Sequence, residues 1–307
     1  MKDTLNSTWI DNLLDISSLD QFDILLSTLA TIHEIVSALG DNASFQPQML
    51  ISDDKIYELN AEIFSSIDNT LKSIFVCSKM ANFSDATVLV RKYRDDLFQW
   101  LFIIQSISDI EESKLYEFMK QNDISQIGEI QISELYNALS KWFNSSIKDE
   151  EKNTVKLKYF DIEKYRVNLC RQSLLQSCFD RFLNPIWNNL NIHLNDYTHI
   201  NGIKYIFYNN AVHNYELGYF KSRLTEISES IIQATTCFLS VLILIKPFYL
   251  ISGDYIKCLE NAIEPPDNSQ YWIAPIIQKY IDNNIFTISQ DLKNFLVENI
   301  PYGIEIG

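Results

Sequence analysis

The chain has 307 residues, 47% of them hydrophobic and 21% charged, with a formal net charge of −15. That composition supplies enough apolar mass for a large core and excludes wholesale disorder. Its field repels nucleic acid except where basic residues cluster. The seven glycines are roughly a third of the usual share, and neither GxGxxG nor GxxxxGK[ST] occurs, so dinucleotide-binding and P-loop architectures fall away.

Five cysteines (Cys77, Cys170, Cys178, Cys237, Cys258) form no CxxC pair, and an odd, scattered set reads as buried reduced thiols. The opening residues have no apolar run of the kind a secretory signal carries, so a cytoplasmic protein is expected. The four histidines (His33, His193, His199, His213) show neither HExxH nor His-Cys spacing, so no metal and no cofactor are expected. Charge is uneven. Residues 1–70 hold twelve acids against Lys2 and Lys55, a balance of −10, whereas residues 152–181 have a balance of +4. The two stretches read as solvated faces of helical layers, or else the acidic end masks the basic stretch or meets a basic partner; a protein with a basic surface or a second copy of the chain is the expected partner.

In chain order, Ser17 or Ser18 can cap a helix carrying Leu19, Phe22, Leu25, Leu29 and Ile32 at helical spacing, stopping near Gly40. A second helix is expected from Asp53 or Asp54 through Ile56, Leu59, Ile63, Ile67, Leu71 and Ile74. Ser84 can cap a third bearing Val88, Leu89, Leu97, Trp100, Leu101 and Ile104, with shorter helices over 111–121 and 133–144. Periodicity is lost at 145–153. A soft boundary there separates an acidic helical region, 1–145, from a second helical region, 154–307, unless the two form one compact domain.

A long helix from Asp161 to Phe182 is then expected, followed by one with Pro185 in its first turn that carries Ile186, Leu190, Leu194 and Tyr197. A long helix near residues 215–245 contains the most apolar run, Cys237 to Ile245, and Lys246-Pro247 closes it. This points to a central buried helix rather than a membrane span. Two short helices, over 270–283 and from Ser289, complete an all-α, multi-helix bundle.

Two patterns hold chemistry-bearing residues. Asp123, Ser125, Gly128 and Glu134 have the spacing of an EF-hand calcium loop, but Ile127 stands where an oxygen ligand is needed, and no calcium binding is expected. On the helix after Pro185, Asn188, Asn191, Asn195 and His199 gather opposite the apolar stripe, and upstream Arg91 and Arg94 share a helix with Asp95 and Asp96.

The helix Ala86-x-x-Leu89-x-Arg91-x-x-x-Asp95, followed by one ending Leu194-Asn195-Asp196-Tyr197-Thr198-His199, resembles the HEPN-type helical domains of bacterial defence and toxin systems. The resemblance covers residues 80–215. It implies a metal-independent ribonuclease, in which an Arg and a His four to six residues later do the chemistry. His199 and His213 match the family's His, but neither has an Arg at that spacing. The cation would have to come from Arg91 or Arg94, with Asn195 and His199 completing the site. The main expectation is therefore a non-catalytic interaction or regulatory protein of a bacterial defence or toxin–antitoxin system. The ribonuclease, with RNA as its partner, is the alternative. The abundance of Ile, Asn, Lys, Tyr and Phe suits an AT-rich bacterial or phage genome.

Overall fold

The computed structural model describes residues 16–44, 49–52, 55–121, 162–198, 217–263, 272–301 and 304–306. It is an all-α bundle of packed helices, with one short β-hairpin beside it. The EF-hand-like loop, the 133–144 helix and the 145–153 boundary lie outside the described residues.

Helix α1 (Asp20–Ser44) buries Phe22, Leu25, Leu29, Ile32, Val36, Leu39 and Ala43. Their alternating steps of three and four keep one face on the core. The helix runs past Gly40, near which a stop was expected, to Ser44. A helix-interior glycine costs only about 1 kcal/mol, and the burial of Asn42 and Ala43 beyond it offsets that. The Cβ an alanine would add there meets Phe64 at 3.6 Å, an ordinary contact, so the glycine is not forced. Asn42 fixes the end of the helix, donating to the carbonyls of Tyr249 (2.8 Å) and Ile251 (2.6 Å).

The second helix does not begin at Asp53 or Asp54. Strand β1 (Met49–Ser52) pairs antiparallel with β2 (Lys55–Glu58), Leu50 opposite Tyr57 and Ile51 opposite Ile56. β-Branched and aromatic residues favour that pairing over a helical turn. Helix α2 (Leu59–Lys79) follows directly and buries Ile63, Phe64, Ile67, Leu71 and Ile74. It ends with Ala81 in the left-handed region (φ 55°), and Asn82 N donates to Cys77 O at 2.8 Å. That 6→1 bond satisfies an end carbonyl.

Helix α3 (Phe83–Gln121) is one continuous helix, not two. Neither Gly nor Pro interrupts it, so nothing local breaks its hydrogen-bond ladder. It begins at Phe83 with Asn82 just ahead, whose amide reaches Asp85 Oδ2 at 2.5 Å. Ser84, the expected cap, is buried inside the first turn. The helix lies at the centre of the bundle and packs against helices from both halves of the chain.

The long helix expected from Asp161 is broken. Helix α4 (Ile162–Leu169) ends in a turn at Cys170 and Arg171, and α5 (Ser173–Cys178) runs into a π turn, Phe179–Leu183. The wider turn sits just ahead of Pro185, which offers no N–H to the ladder. Helix α6 (Asn184–Thr198) takes that proline in its first turn. Helix α7 (Leu217–Ile245) is the central buried helix, and from Ala234 to Ile245 every residue is buried. It is long and apolar enough to cross a membrane, as is Asp20–Ala43, but 83% of its most apolar window lies inside the bundle.

Two threonine hydroxyls of α7 bond across the core. Thr235 shares a hydrogen bond with Tyr93 (2.8 Å) and Thr236 with Tyr280 (3.2 Å), while Tyr280 donates to Ile232 O at 2.9 Å. Helices α8 (Gly253–Glu260), α9 (Pro275–Tyr280, running into a π turn at Ile281–Ile285) and α10 (Gln290–Asn299) close the fold. Ser289 caps α10, accepting from Leu292 N at 3.0 Å, as its sequence predicts.

Candidate functional site

The chemistry-bearing residues of α3 fall within six positions, Arg91-Lys92-Tyr93-Arg94-Asp95-Asp96. Helical geometry sorts them into three directions. Tyr93 points to α7 and bonds Thr235. Lys92 and Asp96 face α2 and pair with each other, Lys92 Nζ also donating to Ser66 Oγ at 3.0 Å. Arg91, Arg94 and Asp95 turn toward α6.

Arg94 is fully buried, at 0% exposure. Its Nε and Nη2 donate to Asp95 Oδ1 at 2.9 and 2.7 Å, its Nη1 donates to Asn191 Oδ1, and its guanidinium lies over the Trp187 ring at 5.7 Å. A buried guanidinium needs such a set, since an unpaired charge there is costly. Arg91 approaches the other carboxylate oxygen, Nε to Asp95 Oδ2 at 3.7 Å. Loss of hydration pushes the Asp95 carboxyl above its ordinary range, although Arg94 and then Arg91 pull it down. A second ion pair flanks this cluster: Trp187 Nε1 donates to Glu163 Oε2 (3.2 Å), and Glu163 accepts from Arg166 Nε (2.7 Å).

The antiparallel register of α3 and α6 follows from two contacts, Arg94 with Asn191 and the rings of Phe98 and Trp187 at 4.5 Å. One turn further along, Arg91 comes level with Asn195, an exposed residue. The faces carrying Arg94 and Asn191 pack together, and Arg91 and Asn195 lie one turn beyond that contact. His199 and His213 lie outside the described residues. Trp187, which the sequence did not single out, sits one turn before Asn191, where i,i+4 spacing stacks it on the same face.

On the other side of α3, a broad open groove of about 440 Å³ runs between α2 and α3. Ser65, Ser66, Asn69, Thr70 and Ser73 line it, with Lys92 opposite. Its signal in the sequence was small polar residues recurring at steps of three and four. Lys92 at its edge is paired with Asp96 and bonded to Ser66.

The outer face of α1 and α2 is acidic, with Asp20, Asp23, Glu34, Asp41 and Glu62 exposed. There Asp68 meets His33 Nδ1 (2.6 Å) and Lys72 Nζ (2.5 Å). Desolvation raises its carboxyl, but the bonds from Lys72 and His33 outweigh this and hold it below the ordinary value.

Among the described residues, no group of three or more His, Cys, Asp or Glu is placed to hold a metal ion. The thiols of Cys170, Cys178 and Cys237 are buried, and burial pushes them up to about 11, about 12 and about 12. Since the thiolate is the reacting form, the native protein at pH 8 is expected to label fastest at half-buried Cys258 and more slowly at half-buried Cys77, whose thiol burial and then Asp85 also push up. The other three should react after unfolding. Mass spectrometry of alkylated peptides checks this, and labelling of Cys237 as fast as Cys258 would contradict the packing around α7.

In comparisons with known proteins, no family model matches the chain, nor does any curated protein or solved structure.

Proposed function

We propose that the chain is a non-catalytic helical interaction or regulatory protein, of the kind bacterial defence and toxin–antitoxin systems employ, acting in the cytoplasm. One observation carries this reading: Arg94, the most deeply placed cation near the Asn-rich helix α6, has its guanidinium bound to Asp95 and Asn191 at 0% exposure. A cation that is to steady charge on a reacting phosphate must point its donors at that phosphate, and those of Arg94 are directed at the fold. The acidic face of α1 and α2 supports a partner with a basic surface, which should bind more weakly as salt rises. A second copy of the chain is the other partner.

The alternative is a HEPN-like metal-independent ribonuclease using His199 and Asn195, and one observation favours it. The α3–α6 register brings Arg91 level with Asn195, so Arg91 could supply the cation that the resemblance requires. Incubating the purified protein with labelled single-stranded RNA in chelator separates the two. The interaction protein leaves the RNA intact. Cleavage that falls by about 100-fold or more in a folded His199→Ala variant, the scale of a lost general acid or base, would install the ribonuclease instead.

A further inference from the structure

Arg94 and Asp95 are neighbours in sequence, and consecutive side chains on a helix diverge by about 100°. Helix spacing therefore does not deliver their contact, and both side chains must bend to meet. Arg91 approaches the same carboxylate from one turn earlier, so two guanidiniums converge on a single anionic group between α3 and α6. The seat is built rather than incidental. Arg94 is at 0% exposure, Asn191 holds one end of its fork, and Trp187 covers its face. Asp95 is the part open to solvent, its side chain 35% exposed, with Arg91 at 24% beside it.

We propose that Arg91 and Arg94, with Asn191 as their support, form an anion seat that Asp95 occupies as a built-in counter-ion, and that a phosphate group takes the same place when the Asp95 carboxylate is withdrawn. The fork of a guanidinium fits carboxylate and phosphate oxygens alike. A phosphate group brings about −1.5 to −2 charges and three acceptor oxygens, so it meets two converging guanidiniums more fully than one carboxylate does. Burial already works against the charge of Asp95, so its hold on the seat is weaker than two arginines alone would give. Asp95 thus acts as an autoinhibitory plug. This inference rests on the resting pair that supports the proposed function: with Asp95 seated the donors of Arg94 are directed at the fold, and only its withdrawal turns them to an anion.

The test is the thermal unfolding of Asp95→Ala, which removes both the carboxylate and its volume from the seat. It is measured in chloride and in inorganic phosphate at equal ionic strength and pH, with wild type alongside. Phosphate is expected to raise the melting temperature of Asp95→Ala by about 2–4 °C more than that of wild type, the scale of roughly 1 kcal/mol of linked binding in a chain of this size. The comparison with wild type removes the general stabilisation that phosphate gives any folded protein. The double variant Arg91→Gln/Asp95→Ala should lose the difference. Equal shifts in Asp95→Ala and wild type overturn the proposal. So does an Asp95→Ala protein that fails to fold in both buffers, since phosphate would then have failed to replace the carboxylate.

Discussion

Replacing Trp100 with alanine is expected to cost about 3–5 kcal/mol of folding stability, the range for removing a large buried aromatic ring. Trp100 is fully buried where three segments meet. Its ring centroid lies 5.0 Å from Phe64 of α2, 5.9 Å from Phe238 of α7 and 4.9 Å from Tyr249 beyond it. Its indole N–H donates to Asn60 Oδ1 at 2.9 Å, and Asn60 Nδ2 donates to Ala43 O at 3.3 Å. Truncation therefore leaves a cavity and strands a buried amide at 1% exposure. Trp100→Phe should recover most of the packing but not that bond, giving a smaller loss. Chemical denaturation measures both, and a loss under about 1 kcal/mol for Trp100→Ala would place the core elsewhere.

Arg94→Ala is expected to cost about 3 kcal/mol. Breaking a buried pair by removing one partner usually costs about 3–5 kcal/mol, and the lower end applies because the Asp95 side chain is partly exposed and can rehydrate. Joint replacement as Arg94→Leu/Asp95→Leu should cost less than the single change, since no charge is left behind. This double-mutant comparison distinguishes a structural pair from loose surface charges, for which the two costs would simply add. Equal stability of Arg94→Ala and wild type would mean that the guanidinium is not held between α3 and α6.

Much of this architecture was legible in the residues. The three-and-four spacing along α1 from Phe22 to Ala43, the Ser289 cap and the apolar run of α7 each state their helix locally. Other features depend on distant contacts. Nothing near Cys170 announces the break between α4 and α5, because no Gly or Pro marks it and tertiary packing overrides the local preference. The β1–β2 pairing competes with a helical pattern that the same residues also satisfy. At the candidate site, Arg94 carried an unread signal. It lies on the same stripe as Val90, Leu97 and Leu101, all buried, so an arginine there had to enter the core. Its partner Asn191 is 97 positions away, a pairing that one sequence cannot specify.

The enclosure of α7 has a consequence for how the chain is made. Ribosomes release a polypeptide in order, and α1 and α3, the helices that pack most heavily on α7, emerge before it. A segment greasy enough for a lipid bilayer thus leaves the exit tunnel when most of its cover is already available. A rearranged gene encoding residues 217–245 ahead of residues 20–121 would reverse that order. Its nascent chain would present the greasy segment bare, inviting capture by chaperones or insertion machinery before its cover had been synthesised.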